Sequence, residues 1–269
     1  MNMLTLEAAT GLRLAFFFGI FAAMALWETV APRRALTTPK AARWGRNIGI
    51  AALNSAGVKL LIPLQAAGVA ALAGRGGWGL LRWAEVPAAP ALLLSVVLLD
   101  LAIYAQHWAF HRHPALWRLH MVHHVDLDID VTTGARFHPV EILLSMGIKM
   151  ALVALLGAPV AGVIVFEILL NGTSMFNHGN VRIPAGLDRA LRLVLVTPDM
   201  HRVHHSVVPR ETGSNFGFNL PWWDRLFGTY RPQPAAGHDG MQIGLPWFRD
   251  PDRVGLGWLL ALPFLKRTW

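Results

Sequence analysis

The 269-residue chain contains no cysteine. Disulfides, thiolate zinc sites, iron–sulfur clusters and a cysteine nucleophile are therefore excluded, and any metal site must be built from His, Asp or Glu. Charge is also scarce, at 15% of residues, where an ordinary soluble domain has roughly 25%. No haem-binding domain, flavin fingerprint, fixed-period repeat or low-complexity segment is visible. The N-terminus lacks a basic n-region; Arg13 is its only early cation. The first apolar run thus reads as a retained anchor and not as a cleavable signal.

What fills the chain instead is apolar, at 54% of residues. A membrane span needs about 20 mostly apolar residues. Candidates fall at 12–32, at 48–73 (with Asn54 and Lys59 inside it and Pro63 as a kink), at 87–110 and at 141–176. The last is long for one span, and Gly157-Ala-Pro159 divides it into a hairpin or a pair of short helices. The expected fold is all-α: a polytopic integral membrane bundle of about four transmembrane helices with a cytoplasmic, histidine-rich helical cap. The net charge of +8 is scattered, which argues against nucleic-acid binding. If the N-terminus is outside, 19 of the 24 Lys/Arg fall in the cytoplasmic loops 33–46, 111–139 and 178–269, as the positive-inside rule favours. The stretch 186–205 reads as an amphipathic surface helix broken at Pro198, and 258–265 as a segment reaching the membrane interface.

Eight of the twelve histidines fall in three short stretches. His107 and His111 are four apart. His120/His123/His124 and His201/His204/His205 both repeat the i, i+3, i+4 pattern, which on a helix shares one face. That is a metal-ligand spacing, repeated three times. His178 closes the fourth apolar segment on the same side of the membrane. Nine imidazoles exceed what one ion takes, so two ions are implied, and imidazole suits iron, zinc, copper or nickel. Ligating histidines usually pass their second N–H to a carboxylate or carbonyl. Asp100, Asp199 and the run Asp126, Asp128, Asp130 are candidates for that role, the run reading otherwise as a solvated loop. His138, before Pro139, suits ligation, support of a ligand or a helix start. Glu167, deep in apolar sequence, is a functional candidate because a charge there is unfavourable without a role. His113 and His238 read as ordinary structural residues.

The ordered set Asp100-x3-Tyr104-x2-His107-x3-His111, His120-x2-His123-His124, Arg136-x-His138-Pro139-x-Glu141, Asn177-His178-x-Asn180, Thr197-Pro198-x2-His201-x2-His204-His205, Asn215-Phe216-Gly217 and Trp223-Asp224-Arg225-Leu226-Phe227-Gly228-Thr229 resembles the fatty acid hydroxylase/sterol desaturase superfamily, over about half of the chain. The resemblance implies a membrane-embedded, non-haem di-iron oxygenase. Such an enzyme takes O2 and two external electrons to hydroxylate or desaturate a lipid C–H bond. It implies His107, His111, His120, His123, His124, His178, His201, His204 and His205 as ligands, with His138, Asp100 and Asp199 as ligands or their supports. Electrons would come from a separate ferredoxin- or cytochrome b5-like donor with its reductase. Three segments are expected: anchor helices at 1–86, a catalytic unit at 87–232 and a cytoplasmic or interfacial tail at 233–269. The location expected is the inner or plasma membrane, with the metal site on the cytoplasmic side. Rival readings are ether-lipid or carotenoid oxygenation on the same scaffold, and a membrane metal-binding or transport protein that is not an enzyme.

Overall fold

Residues that cannot continue a helix cut the apolar sequence into elements. A computed structural model describes residues 3–250 and 255–265, so parts of the expected anchor and tail segments lie outside the described residues. The long helices are α1 (Met3–Val30), α2 (Lys40–Leu61), α3 (Gln65–Gly76), then, after the short α4 (Leu80–Trp83), α5 (Ala88–Arg112), α6 (Pro114–His124), α7 (Pro139–Leu156) and α8 (Val160–Asn177). Short helices follow: α9 (Ala185–Leu191), α10 (Pro198–His204), α11 (Pro209–Thr212), α12 (Trp222–Leu226), α13 (Gly237–Gly240) and α14 (Leu256–Ala261). Pro139 and Pro198 occupy first-turn positions, where the missing N–H is no loss. Pro63 lies in the break between α2 and α3.

Among the described residues, five stretches are long and apolar enough to cross a membrane: Thr10–Val30, Lys40–Trp83, Ala88–Arg112, Pro139–Leu156 and Val160–Asn177. The protein is an integral membrane protein. The fourth apolar segment supplies two of the five, because Gly157 adopts a left-handed conformation (φ 62°) and turns α7 back into α8. Gly79 (φ 111°) packs directly on that turn; a Cβ there would lie 2.2 Å from the Gly157 backbone. Small residues let the helices approach, as is usual in lipid. Ala66, Ala70 and Ala73 of α3 are fully buried, and Gly162 of α8 lies against Ser95 of α5.

Large apolar side chains such as Leu14, Phe18, Leu26, Leu60, Leu93 and Leu155 face outward instead. Polar groups are turned in. Glu167 pairs with Arg13 of α1 and with Lys149 of α7 (2.8 Å), so its charge ties three helices together and does not face the histidines. Both ends of the α7–α8 hairpin, and the adjoining ends of α1, α2 and α5, meet at one end of the bundle, where α6 and α10 also sit. The 186–205 stretch becomes α9, a turn and α10, with Leu187, Leu193 and Val194 exposed. In the 258–265 stretch two leucines turn inward while Phe264 stays exposed. Leu259 and Leu262 are fully buried against Ile50, Met121 and Val122, and Arg118 donates to the carbonyls of Pro263 and Leu265. This segment backs the second histidine stretch and does not present those side chains to lipid.

Candidate metal centre

The nine histidines converge at that end of the bundle. They form two groups: His107, His111, His120, His124 and His204; and His123, His178, His201 and His205. Within each group one nitrogen per residue lies within 4.8 Å of the others. Eight are buried and His111 is half-buried. The assignment follows helical geometry more finely than a shared face. Each i, i+4 pair (107/111, 120/124, 201/205) stays within one group. Each i+3 residue, His123 and His204, crosses to the other. Neighbouring residues His123 and His124, and likewise His204 and His205, therefore serve different groups while their rings stay 5.2 and 5.5 Å apart.

Acceptors around the rim fix the ring orientations. Nδ1 of His107 donates to the Phe216 carbonyl (2.8 Å), that of His120 to Glu141 Oε1 (2.7 Å), that of His123 to the Arg136 carbonyl (3.2 Å), that of His178 to the Ser174 carbonyl (2.7 Å) and that of His204 to the Ser214 carbonyl (2.7 Å). A carbonyl only accepts, so Nδ1 of His107, His123, His178 and His204 carries the proton and their Nε2 atoms carry lone pairs. Nε2 of His107, His111, His120, His204 and His205, and both nitrogens of His124, are buried without a partner. An unmade hydrogen bond on a buried polar atom is unfavourable by about 1–3 kcal/mol each. In the second group Nε2 of His123 and Nε2 of His178 face each other at 3.1 Å. Two lone pairs at that distance repel unless a cation lies between them. Two imidazole nitrogens on one ion at about 2.0–2.1 Å and near right angles sit about 3 Å apart. The donor set fits a metal.

The electrostatics agree. Outside the membrane-spanning stretches, burial and then the neighbouring imidazoles hold His123, His124, His201, His204 and His205 well below the usual imidazole value. Burial pushes His120 down to about 3 and His178 to about 4. All seven are neutral at pH 7, as ligands must be. Phe216, Phe218 and Phe110 wall the first group against water, and Phe137 stacks on His123 (4.4 Å, 6° between planes).

The carboxylates play other parts than the sequence suggested. Asp100 accepts from Asn219 N–H, Leu220 N–H and the Trp223 indole (2.8 Å), so it holds the loop that offers the Phe216 carbonyl and reaches no histidine itself. Asp199 pairs with Arg33 and Arg202. Asp126, Asp128 and Asp130 are buried, not a solvated loop. Arg43 of α2 clamps Asp126 through two bonds of 2.9 Å and reaches Asp130 at 2.5 Å. Asp128 takes the backbone N–H groups of Thr37 and Thr38. The Asp126 carboxyl is held far below the usual range by Arg43 and Arg136, against its burial. His138 caps α7: its Nδ1 accepts from Val140 N–H and its Nε2 faces the Leu260 carbonyl (3.2 Å). Both nitrogens have partners, and His138 belongs to neither group. His113 is exposed between α5 and α6, and His238 lies 3.7 Å from Asp199. Glu141 enters the sequence pattern only as part of the Arg136–Glu141 motif, although an acid in the first turn of α7 is a signal for a partner of the second stretch. Four of the five acceptors are backbone carbonyls, which leave no mark in a sequence.

Fold and site together define a helical membrane protein with a buried, neutral, all-histidine centre suited to metal. The family model for fatty acid hydroxylase matches residues 92–229, and the chain belongs to that family, within the fatty acid hydroxylase/sterol desaturase superfamily. It is 32% identical over 185 residues to ornithine lipid hydroxylase OlsE of Rhizobium tropici, covering 67% of this chain and 52% of that protein. It is 31% identical over 159 residues to alkylglycerol monooxygenase of Danio rerio, covering 58% of this chain and 34% of that protein. The chain thus spans about half or less of the length of these curated relatives. No solved structure gives a significant match.

Proposed function

We propose that the nine histidines hold two iron ions, and that the protein is a membrane lipid oxygenase using O2 and two electrons from a separate donor. The observation that carries the metal assignment is the His123–His178 pair, whose lone pairs face each other at 3.1 Å. Iron, when bound, supplies O2 activation for attack on an unactivated C–H bond. The chain's own residues prepare for it. Five rim acceptors set the ring tautomers, burial keeps the donors unprotonated, and the phenylalanine rings keep the centre dry. Groups of five and four nitrogens leave room for further donors at each ion.

Family membership supports lipid hydroxylation or desaturation as the chemistry. The likeness to an ornithine lipid hydroxylase makes an aminoacyl lipid the first substrate to try. The likeness to alkylglycerol monooxygenase makes an ether lipid the second. The basic loops support a plasma- or inner-membrane location with the centre on the cytoplasmic side, and an acidic ferredoxin- or cytochrome b5-like donor docking there. Segment 87–232, which contains the family match, is the proposed catalytic unit.

The test is metal analysis of the purified protein joined to lipid product analysis. Two irons per chain and an O2-dependent hydroxylated or desaturated lipid are expected. His123→Ala and His204→Ala should each lose metal and product together. Full iron and turnover in both variants would overturn the assignment. Zinc with no O2 consumption would favour a metal-transport protein.

A further inference from the structure

A cleft of about 390 Å3 opens where α1 meets the loop into α2. Glu28, Thr29, Arg34, Lys40, Asp130 and Asn180 are among its lining residues. Glu28 is 6% exposed. Its Oε1 accepts from Val131 N–H (2.7 Å) and Asn180 N–H (2.8 Å), while Oε2 is buried without a partner. Asp130 has both oxygens engaged, by Arg43, Trp44 and Thr132. The unmet acceptor is therefore the Glu28 oxygen. Cations lie in the same wall. Lys40 Nζ sits over the Trp44 ring (4.7 Å) and 3.3 Å from the Thr29 hydroxyl. Arg34 uses one amino group on the Met241 carbonyl (2.8 Å) and has further N–H donors.

Position adds to chemistry. Leu26 and Val30, either side of Glu28 in α1, are 65% and 75% exposed, as lipid-facing residues are. The cleft thus lies where the apolar surface of the bundle gives way to its polar end, at headgroup depth. Its residue Asn180 follows His178 by two positions in the chain and donates its N–H to Glu28.

We propose that this cleft seats the headgroup of the lipid substrate, and that the headgroup carries a primary ammonium and an anionic group. The ammonium donates to Glu28 Oε2; the anion pairs with Lys40 and Arg34. This rests on the lipid-oxygenase reading above and names the headgroup class. A choline cannot donate a hydrogen bond to Glu28, and a purely anionic headgroup would leave that carboxylate oxygen unsatisfied. Lipids that carry the required pair include aminoacyl lipids with a free carboxylate and phosphatidylethanolamine.

The experiment uses full-length protein in phosphatidylcholine nanodiscs doped equally with an ornithine-headgroup lipid, phosphatidylethanolamine and phosphatidylglycerol. Lipid retained by the protein is measured by mass spectrometry. A charge-assisted hydrogen bond predicts enrichment of the ammonium lipids over phosphatidylglycerol by about tenfold. Whichever ammonium lipid prevails identifies the anion. Glu28→Gln, which keeps an oxygen for the two backbone N–H groups, should abolish the enrichment. Lys40→Glu, which leaves those contacts untouched, should weaken it and carries the test if the first variant does not fold. Equal retention of all headgroups, or unchanged enrichment in a folded Glu28→Gln or Lys40→Glu variant, would overturn the proposal. Iron and turnover are measured on the same samples. Turnover without enrichment removes the headgroup site and leaves the oxygenase; enrichment without iron-dependent turnover does the reverse.

Discussion

At the scale of single residues, the histidines depend on atoms that set their tautomers. Glu141 is the one side-chain acceptor among the five, at 2.7 Å from His120. Glu141→Ala leaves that Nδ1 without a partner and is expected to lower metal affinity or turnover by about 10–100-fold. Glu141→Gln, which still offers an oxygen, should retain more of both; metal content and kcat measured side by side decide it. Acid acts on the same residues. In the unfolded chain these histidines take up protons near their usual value of 6.5. In the fold they resist, His178 down to about 4 and His120 to about 3. Below pH 6.5 the unfolded state binds more protons, so stability falls as pH falls. The metal-free protein should therefore show a thermal midpoint that drops steadily from about pH 6.5 to 4 and is flat above 7.

At the scale of elements, the decisive contact joins α2 to the segment after the second histidine stretch. Arg43 is 1% exposed and neutralises Asp126 and Asp130, which lie 83 and 87 residues away. Removing one member of such a buried set leaves uncompensated charge. Arg43→Ala is expected to destabilise the protein by about 3–5 kcal/mol, and Arg43→Lys to recover only part, because a lysine cannot make the paired contact. Thermal unfolding in detergent checks both. This contact also marks where the sequence was legible and where it was not. The histidine stretches could be read because their spacing is local and helical. The Gly157 turn could be read because apolar sequence ran too long for one span. The aspartate run looked like a wet loop because its partner sits in another helix, and nothing near 126–130 announces Arg43. Asp100 was placed on the correct helix but given the wrong neighbour, since the loop it holds comes from 119 to 123 residues further on.

At the scale of the whole molecule, the order of crossings brings distant sequence to one end. Because the chain has no cysteine, single cysteines report sidedness without background. Arg210→Cys, beyond the last histidine stretch, and Arg82→Cys, near the Gly79–Gly157 turn, lie toward opposite ends of the bundle. The proposed orientation predicts that an impermeant thiol reagent added to intact cells labels Arg82→Cys and spares Arg210→Cys until the cells are opened. The reverse pattern would place the histidine centre outside.

The crossing-over of His123 and His204 has a consequence for loading. Each of α6 and α10 feeds both histidine groups, so fixing either helix for one ion orients donors for the other. Under the two-ion reading, occupancy is then cooperative. Metal added stepwise should fill the protein in a sigmoidal manner, with half-loaded molecules scarce at every ratio.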